Sequence, residues 1–145
     1  MLQGANYRLH LIAGRAFGLE SAVKVYSPTA YIDAEMEAGA SFDFNPEYQE
    51  QAVYVVNGQI AIGGEILEAG TMGVLKTEMP ANIVAQLKSR LILLGGAPID
   101  GPQRTIWWNF VASNPELIET AKRNWREQRF DTIPGDNESI PLPDK

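Results

Sequence analysis

The chain has 145 residues, enough for one domain with a single sizeable core, and 45% hydrophobic with 21% charged residues is ordinary for a globular protein. The absence of cysteine excludes disulfides, thiolate nucleophiles and zinc–thiolate centres, and it suits a reducing, cytoplasmic setting. The net charge of −6 argues against direct binding to nucleic acid, no apolar run is long enough to span a bilayer, and the N-terminus lacks the basic region and apolar stretch of a secretory signal.

Strand signals run from Val23 to Val111. Residues 31–38 alternate with period two, placing Asp33, Glu35 and Glu37 on one face and Ile32, Ala34, Met36 and Ala38 on the other. This pattern predicts a half-buried strand whose acids form a wet face. Residues 52–56, Ala-Val-Tyr-Val-Val, are strongly β-prone, and the Asn57-Gly58 that follows predicts a tight hairpin turn with residues 59–62 as its second arm, closed by Gly63-Gly64. Further strands are expected at residues 72–75, 82–88, 90–94 and 106–111. If Trp107 and Trp108 lie on one strand they point to opposite faces, one to a core and the other to an interface or the helix. Short, evenly spaced strands with glycine turns predict a sandwich, jelly roll or closed barrel.

The pattern changes after Val111. Either Asn114-Pro115 supplies the N-cap and first helical position, or Ser113 and Glu116 form a capping box. Leu117, Ile118, Ala121 and Trp125 then form an apolar stripe on a helix ending near Arg129, and this stripe is expected to cover the outside of the barrel. Lys122, Arg123, Arg126 and Arg129 are the best basic cluster in the chain, read as the solvated face and last turn of that helix. Beyond it, residues 131–145 hold Pro134, Gly135, Pro141, Pro143 and four acids, the composition of an extended tail in which Ile140 and Leu142 serve as anchors.

The candidate chemistry lies between Gly39 and Gly58. Gly39, five residues, Asn45-x-Glu47, three residues, Gln51, six residues and Gly58 keep the spacing frame of the first cupin motif, in which two histidines and a glutamate bind the metal. All three ligand positions have changed type here. The second motif supplies another histidine; the matching stretch, residues 70–85, has none, and Ala81 lies near its place. Amide oxygen with one carboxylate binds iron, copper or nickel weakly compared with imidazole. The sole histidine, His10, lies outside the frame, so a triad of two histidines and a carboxylate cannot be assembled. No cofactor and no metal are therefore expected, and Asn45, Glu47 and Gln51 are left as candidate cavity residues, for a small polar ligand or for hydrogen bonds to one another. Residues 14–18, Gly-Arg-Ala-Phe-Gly, are too short for a phosphate loop, and there is no Gly-x-Ser-x-Gly nucleophile elbow.

Residues 7–18, Tyr-Arg-Leu-His-Leu-Ile-Ala-Gly-Arg-Ala-Phe-Gly, together with Leu94-Gly-Gly-Ala-Pro-Ile-Asp-Gly-Pro102, Ile106-Trp-Trp-Asn-Phe-Val111 and Ile133-Pro-Gly-Asp136, resemble the C-terminal half of the pirin family. The resemblance implies an all-β cupin fold: a jelly-roll barrel (double-stranded β-helix) over residues 1–112, a C-terminal α-helix over 113–130 packed on the barrel, and an extended acidic tail over 131–145. Pirins are bicupins whose N-terminal barrel holds iron, and some bacterial members are quercetin 2,3-dioxygenases. For this chain alone the resemblance implies a structural or protein-interaction domain without enzymatic activity of its own. The alternatives are a metal-independent small-ligand binder or enzyme using the altered cavity, or the non-catalytic half of a dioxygenase-type bicupin. The partner is expected to be a second copy or a second cupin domain, docking on residues 7–17 through Leu9, Leu11, Ile12 and Phe17, where the two barrels of a pirin join.

Overall fold

The computed structural model describes residues 1–44, 48–75, 81–136 and 138–143. The chain divides into two compact units, Met1–Ile99 and Asp100–Lys145.

The first unit holds β1 (Leu2–Gly4), β2 (Tyr7–Ala16), β3 (Leu19–Glu20), β4 (Thr29–Met36), β5 (Ser41–Phe44), β6 (Glu50–Asn57), β7 (Gln59–Ile62), β8 (Glu65–Glu68), β9 (Met72–Leu75), β10 (Ala81–Ala85) and β11 (Ser89–Gly96). One sheet runs β1-β2-β4-β11-β6-β9 with β3 added on β2, and the other runs β5-β10-β7-β8. Every pairing is antiparallel. From β4 to β5, β6 to β7, and through β9, β10 and β11, the chain steps back and forth between the sheets. This is the jelly-roll sandwich that the strand spacing predicts.

Period-two alternation builds the core. Ala30, Ile32, Ala34 and Met36 of β4 face inward and meet Val53 and Val55 of β6, Leu91 and Leu93 of β11, Ile60 and Ile62 of β7, Ile83 and Ala85 of β10, and Phe42 and Phe44 of β5. Asp33 and Glu35 of β4 take outward positions, as their spacing demands, and Glu37 follows directly after the strand. Each meets a cation: Arg90 Nε lies 2.8 Å from Asp33 Oδ1, Arg8 Nη2 2.7 Å from Glu35 Oε2, and Lys88 Nζ 2.7 Å from Glu37 Oε1.

Three expectations are corrected. First, Asn57-Gly58 does not close a hairpin. β6 pairs with β11 and β9, whereas β7 pairs with β10 and β8, so this dipeptide carries the chain from one sheet to the other. The start of β11 holds the corner: Asn57 Oδ1 accepts from Arg90 N at 2.8 Å, and Ser89 Oγ accepts from Gln59 N at 3.0 Å. The true two-residue hairpin comes one step later, where Gly63 and Gly64 join β7 to β8 with φ of 59° and 85°, the left-handed pair that such a turn requires. Second, the strands begin well before Val23. β2 is the ten-residue partner of β4, and a bulge at Ile12 breaks its alternation. Third, residues 106–111 are not one strand.

In the second unit, β12 (Thr105–Trp107) and β13 (Phe110–Ala112) form a hairpin turning at Trp108-Asn109, with Trp108 at φ 51°. The helix α1 (Pro115–Arg126) follows. Asn114 is its N-cap, its side chain accepting from Glu116 N at 2.9 Å, and Pro115 begins it, so the first of the two capping arrangements is the one formed. Ile118 is buried while Leu117 is 57% exposed, so Leu117 leaves the predicted stripe. Positions 118, 121, 122 and 125 share a face at 3.6 residues per turn, and residue 117 sits about 100° away. Trp125 anchors the unit against Trp108, Phe110 and Phe130, with ring centroids 5.0, 6.1 and 5.6 Å apart. Its Nε1 donates to Ile140 O at 2.7 Å, so the tail is tied down through a backbone carbonyl while the Ile140 side chain remains exposed.

Candidate functional site

The motif frame is a structural frame. Gly39, Gly58 and Gly70 all have positive φ, at 77°, 83° and 83°, and each starts or turns a strand connection: Gly39 N donates to Ala85 O and Gly70 N to Val55 O, both at 2.8 Å. At Gly58 an added Cβ would clash with the Lys88 carbonyl oxygen and lie 2.7 Å from Ser89 Cα, so glycine is required there sterically as well as conformationally. These glycines serve the fold whether or not a metal is held.

Between them, Gln51 stands on β6 with its side chain buried, opposite Leu75 of β9 and Gly95 of β11. Its Nε2 donates to Tyr48 O at 2.9 Å, which spends one amide hydrogen on a local turn. Ala81, at the place of the second-motif histidine, opens β10 and packs on the core with a methyl group. Both frame positions therefore face inward, as ligand positions should, and neither carries a strong donor to a transition metal. Asn45 and Glu47 lie outside the described residues. Among the described residues, Gln51 and Ser89 are the buried polar side chains of this unit, and no three histidine or carboxylate groups gather where a metal could sit. Ser89 is engaged at the Gly58 corner, where its hydroxyl donates to Leu87 O at 2.8 Å. The described donor set does not fit an iron, nickel or copper ion.

His10 points outward from β2 in register with Asp33, away from the interior. The four candidate docking residues separate. Leu9, at 2% exposed, belongs to the core of its own unit, while Leu11, Ile12 and Phe17 are half-buried. The basic cluster on α1 is laced with acids and aromatics: Lys122 Nζ lies 2.6 Å from Glu119 and 4.3 Å from the Trp107 ring centroid, and Arg129 pairs with Glu127 at 2.8 Å. Arg123, Arg126 and Arg129 are solvated as the sequence predicts, whereas the Lys122 side chain, 16% exposed, lies on the buried side of the helix against Trp107.

Sequence reasoning missed Tyr48. Its hydroxyl lies 3.1 Å from both Arg15 O and Thr29 O and donates between them, joining the loop after β5 to β2 and β4. Tyr48 and residues 14–29 line an open cleft of about 1030 Å³. Arg15 pairs with Glu20 at 2.8 Å at its edge, and this carboxylate raises the guanidinium pKa. No residue spacing announces the cleft, because one continuous loop folds back on its own strand to make it.

Residues 31–131 match the family described as the pirin C-terminal cupin domain. The chain is 38% identical over 143 residues to a pirin-like protein of Caulobacter vibrioides, an alignment covering 98% of this chain and 49% of that protein. Among solved structures, a quercetin 2,3-dioxygenase from Acinetobacter baumannii superposes with a TM-score of 0.83 at 26% identity, over 99% of this chain and 50% of that one. A bacterial pirin from Escherichia coli, solved in complex with nickel(II), shares the fold with a TM-score of 0.54 at 16% identity, over 68% of this chain and 42% of that one. The chain spans about half the length of these relatives. A family match over residues 31–131 and a relative 38% identical over 98% of the chain lead to one conclusion: the chain belongs to the family of pirin C-terminal cupin domains.

Proposed function

We propose that this chain is a cupin domain without a transition-metal site of its own, acting as a structural or protein-interaction unit that packs against a second cupin. That second cupin is another copy or the other half of a bicupin of the quercetin 2,3-dioxygenase type. The observation that carries this reading is the interior of the first unit. Its described inward positions are aliphatic or aromatic apart from Gln51 and Ser89, both already hydrogen-bonded. Interiors packed at protein density leave no room for a substrate, and a metal-dependent dioxygenase needs imidazole donors facing an open cavity. The relatives' length, about twice that of this chain, supports a partner of cupin type. A net charge of −6 speaks against nucleic acid as that partner, and a cysteine-free chain suits the cytoplasm. A second reading, a metal-independent binder or enzyme of small polar molecules, is favoured only by the buried amide of Gln51 at a ligand position of the frame.

Elemental analysis of the purified chain after dialysis tests the proposal. Iron, nickel and copper are expected far below stoichiometric amounts. Stoichiometric metal that survives dialysis, and is lost in Glu47→Ala and Gln51→Ala variants, would overturn it.

A further inference from the structure

The larger sheet changes character across its outward face. On β4 the outward positions include the acids Asp33 and Glu35, as a solvated antiparallel face should. On β11, β6 and β9 charge is confined to Arg90 and Glu50 at strand ends, and the outward positions between them are apolar or tyrosine. Register places Leu94, Ala52 and Val74 in one row across the three strands and Ile92, Tyr54 and Met72 in the next. Val74 is 79% exposed and Met72 55%, and Val56 extends the apolar surface further along β6. β9 is also an edge strand, and Met72–Leu75 contains neither charge nor proline, the usual devices that keep an edge from pairing.

Most of the charges bordering this patch cancel. Arg8, Lys88 and Arg90 are paired one to one with Glu35, Glu37 and Asp33, and Glu50 at the start of β6 adds one negative charge, so most of the net charge of −6 lies elsewhere. A chain of net charge −6 repels a second copy least where its surface charges pair off. Through this face two copies meet with an apolar centre and a largely paired polar rim, which is the anatomy of a protein–protein interface. We infer that the outward face of β11, β6 and β9 is the docking surface for a second copy of this chain, related by a two-fold axis so that the same patch serves on both copies. The inference rests on the reading of the chain as a packing unit and names the surface that does the packing.

Light scattering coupled to size exclusion on the full chain, over a hundredfold dilution series, tests it. The wild type is expected at twice its 16.0 kDa mass at the higher concentrations. Val74→Glu and Met72→Glu are expected to run as monomers with unchanged circular dichroism, and to melt where the wild type melts once diluted to its monomer, since both side chains already face solvent in one copy. Val74→Ser, which adds no charge, should weaken the dimer in the same direction and covers the case in which glutamate unfolds β9. Because most of the rim charges are paired, raising the salt from 50 mM to 500 mM should change the dissociation constant by less than about threefold. A dimer that survives Val74→Glu but falls apart on Leu11→Glu or Phe17→Glu overturns this surface and leaves the packing role standing. A wild type that is monomeric at every concentration overturns the self-association itself, whatever the metal analysis shows.

Discussion

Gly58 shows how much a single position can carry. It has φ 83°, and the space where a Cβ would go is occupied by the Lys88 carbonyl and Ser89. Gly58→Ala is expected to cost about 2–4 kcal/mol, the sum of left-handed strain and overpacking, and to lower the melting midpoint by roughly 10 °C. Gly39→Ala is the control. Its φ of 77° is nearly the same, but nothing lies within 4 Å of the added atom, so only the strain of roughly 1–2 kcal/mol remains. Equal losses for the two variants, measured by thermal denaturation, would refute the steric account of the sheet-to-sheet corner. Gln51 and Ala81 make the complementary point. Their places in the frame were legible from spacing, but their inward direction came from the observed strands, and the hydrogen bond from Gln51 to Tyr48 depends on a loop conformation that spacing does not encode. Asn45 and Glu47 lie outside the described residues.

At the scale of elements, alternation and capping chemistry read reliably and partner choice did not. β4 was legible because its acids and aliphatics alternate without interruption. The hairpin at Asn57-Gly58 was misplaced because the dipeptide is compatible with a turn, whereas the pairing partner of β7 is settled by which sheet needs its apolar face. The pair Trp107-Trp108 was read as continuous strand because aromatic residues favour strands, and the left-handed conformation of Trp108 overrode that propensity. The helix capped where Asn114-Pro115 said it would, and of the expected stripe Ile118 is buried while Leu117 turns out to solvent. Trp125 is half-buried and shares its contacts with three other rings, so Trp125→Ala is expected to cost about 2–3 kcal/mol, below the 3–5 kcal/mol of a fully enclosed aromatic. Trp125→Phe keeps most of the packing and removes the bond to Ile140 O, for about 1 kcal/mol and faster proteolysis within residues 131–143. An unchanged denaturation midpoint in Trp125→Ala would show that the helix contributes nothing to its unit.

For the whole molecule, family membership and biochemical activity separate. The relatives include a quercetin 2,3-dioxygenase of known structure, and the chain matches half of it. The proposed role assigns no oxygen chemistry to this half, whose described frame positions are an amide and a methyl group, weak ligands for a transition metal. Aerobic incubation of the purified chain with quercetin, with or without added iron or nickel, is therefore expected to show oxygen uptake no faster than the same mixture without protein. Uptake that rises in proportion to protein would require donors that Gln51 and Ala81 do not supply.

The sequence by itself determined the class of fold, the inward and outward faces of its clearest strand, the cap and course of the helix, and the chemical character of the frame positions Gln51 and Ala81. Each of these is a local property, fixed by a period of two or 3.6 residues, by a capping side chain, or by the identity of one residue at a counted spacing. Only the tertiary structure decided that β6 and β7 part company at Gly58, that Leu9 is core while Leu11, Ile12 and Phe17 are partly exposed, and that the Trp-Trp segment is a hairpin packed on α1. It also decided that the apolar outward residues of β11, β6 and β9 form one surface. Those outcomes depend on which strand lies beside which, and strand neighbours are chosen by burial summed over the whole core, a quantity that no local pattern contains.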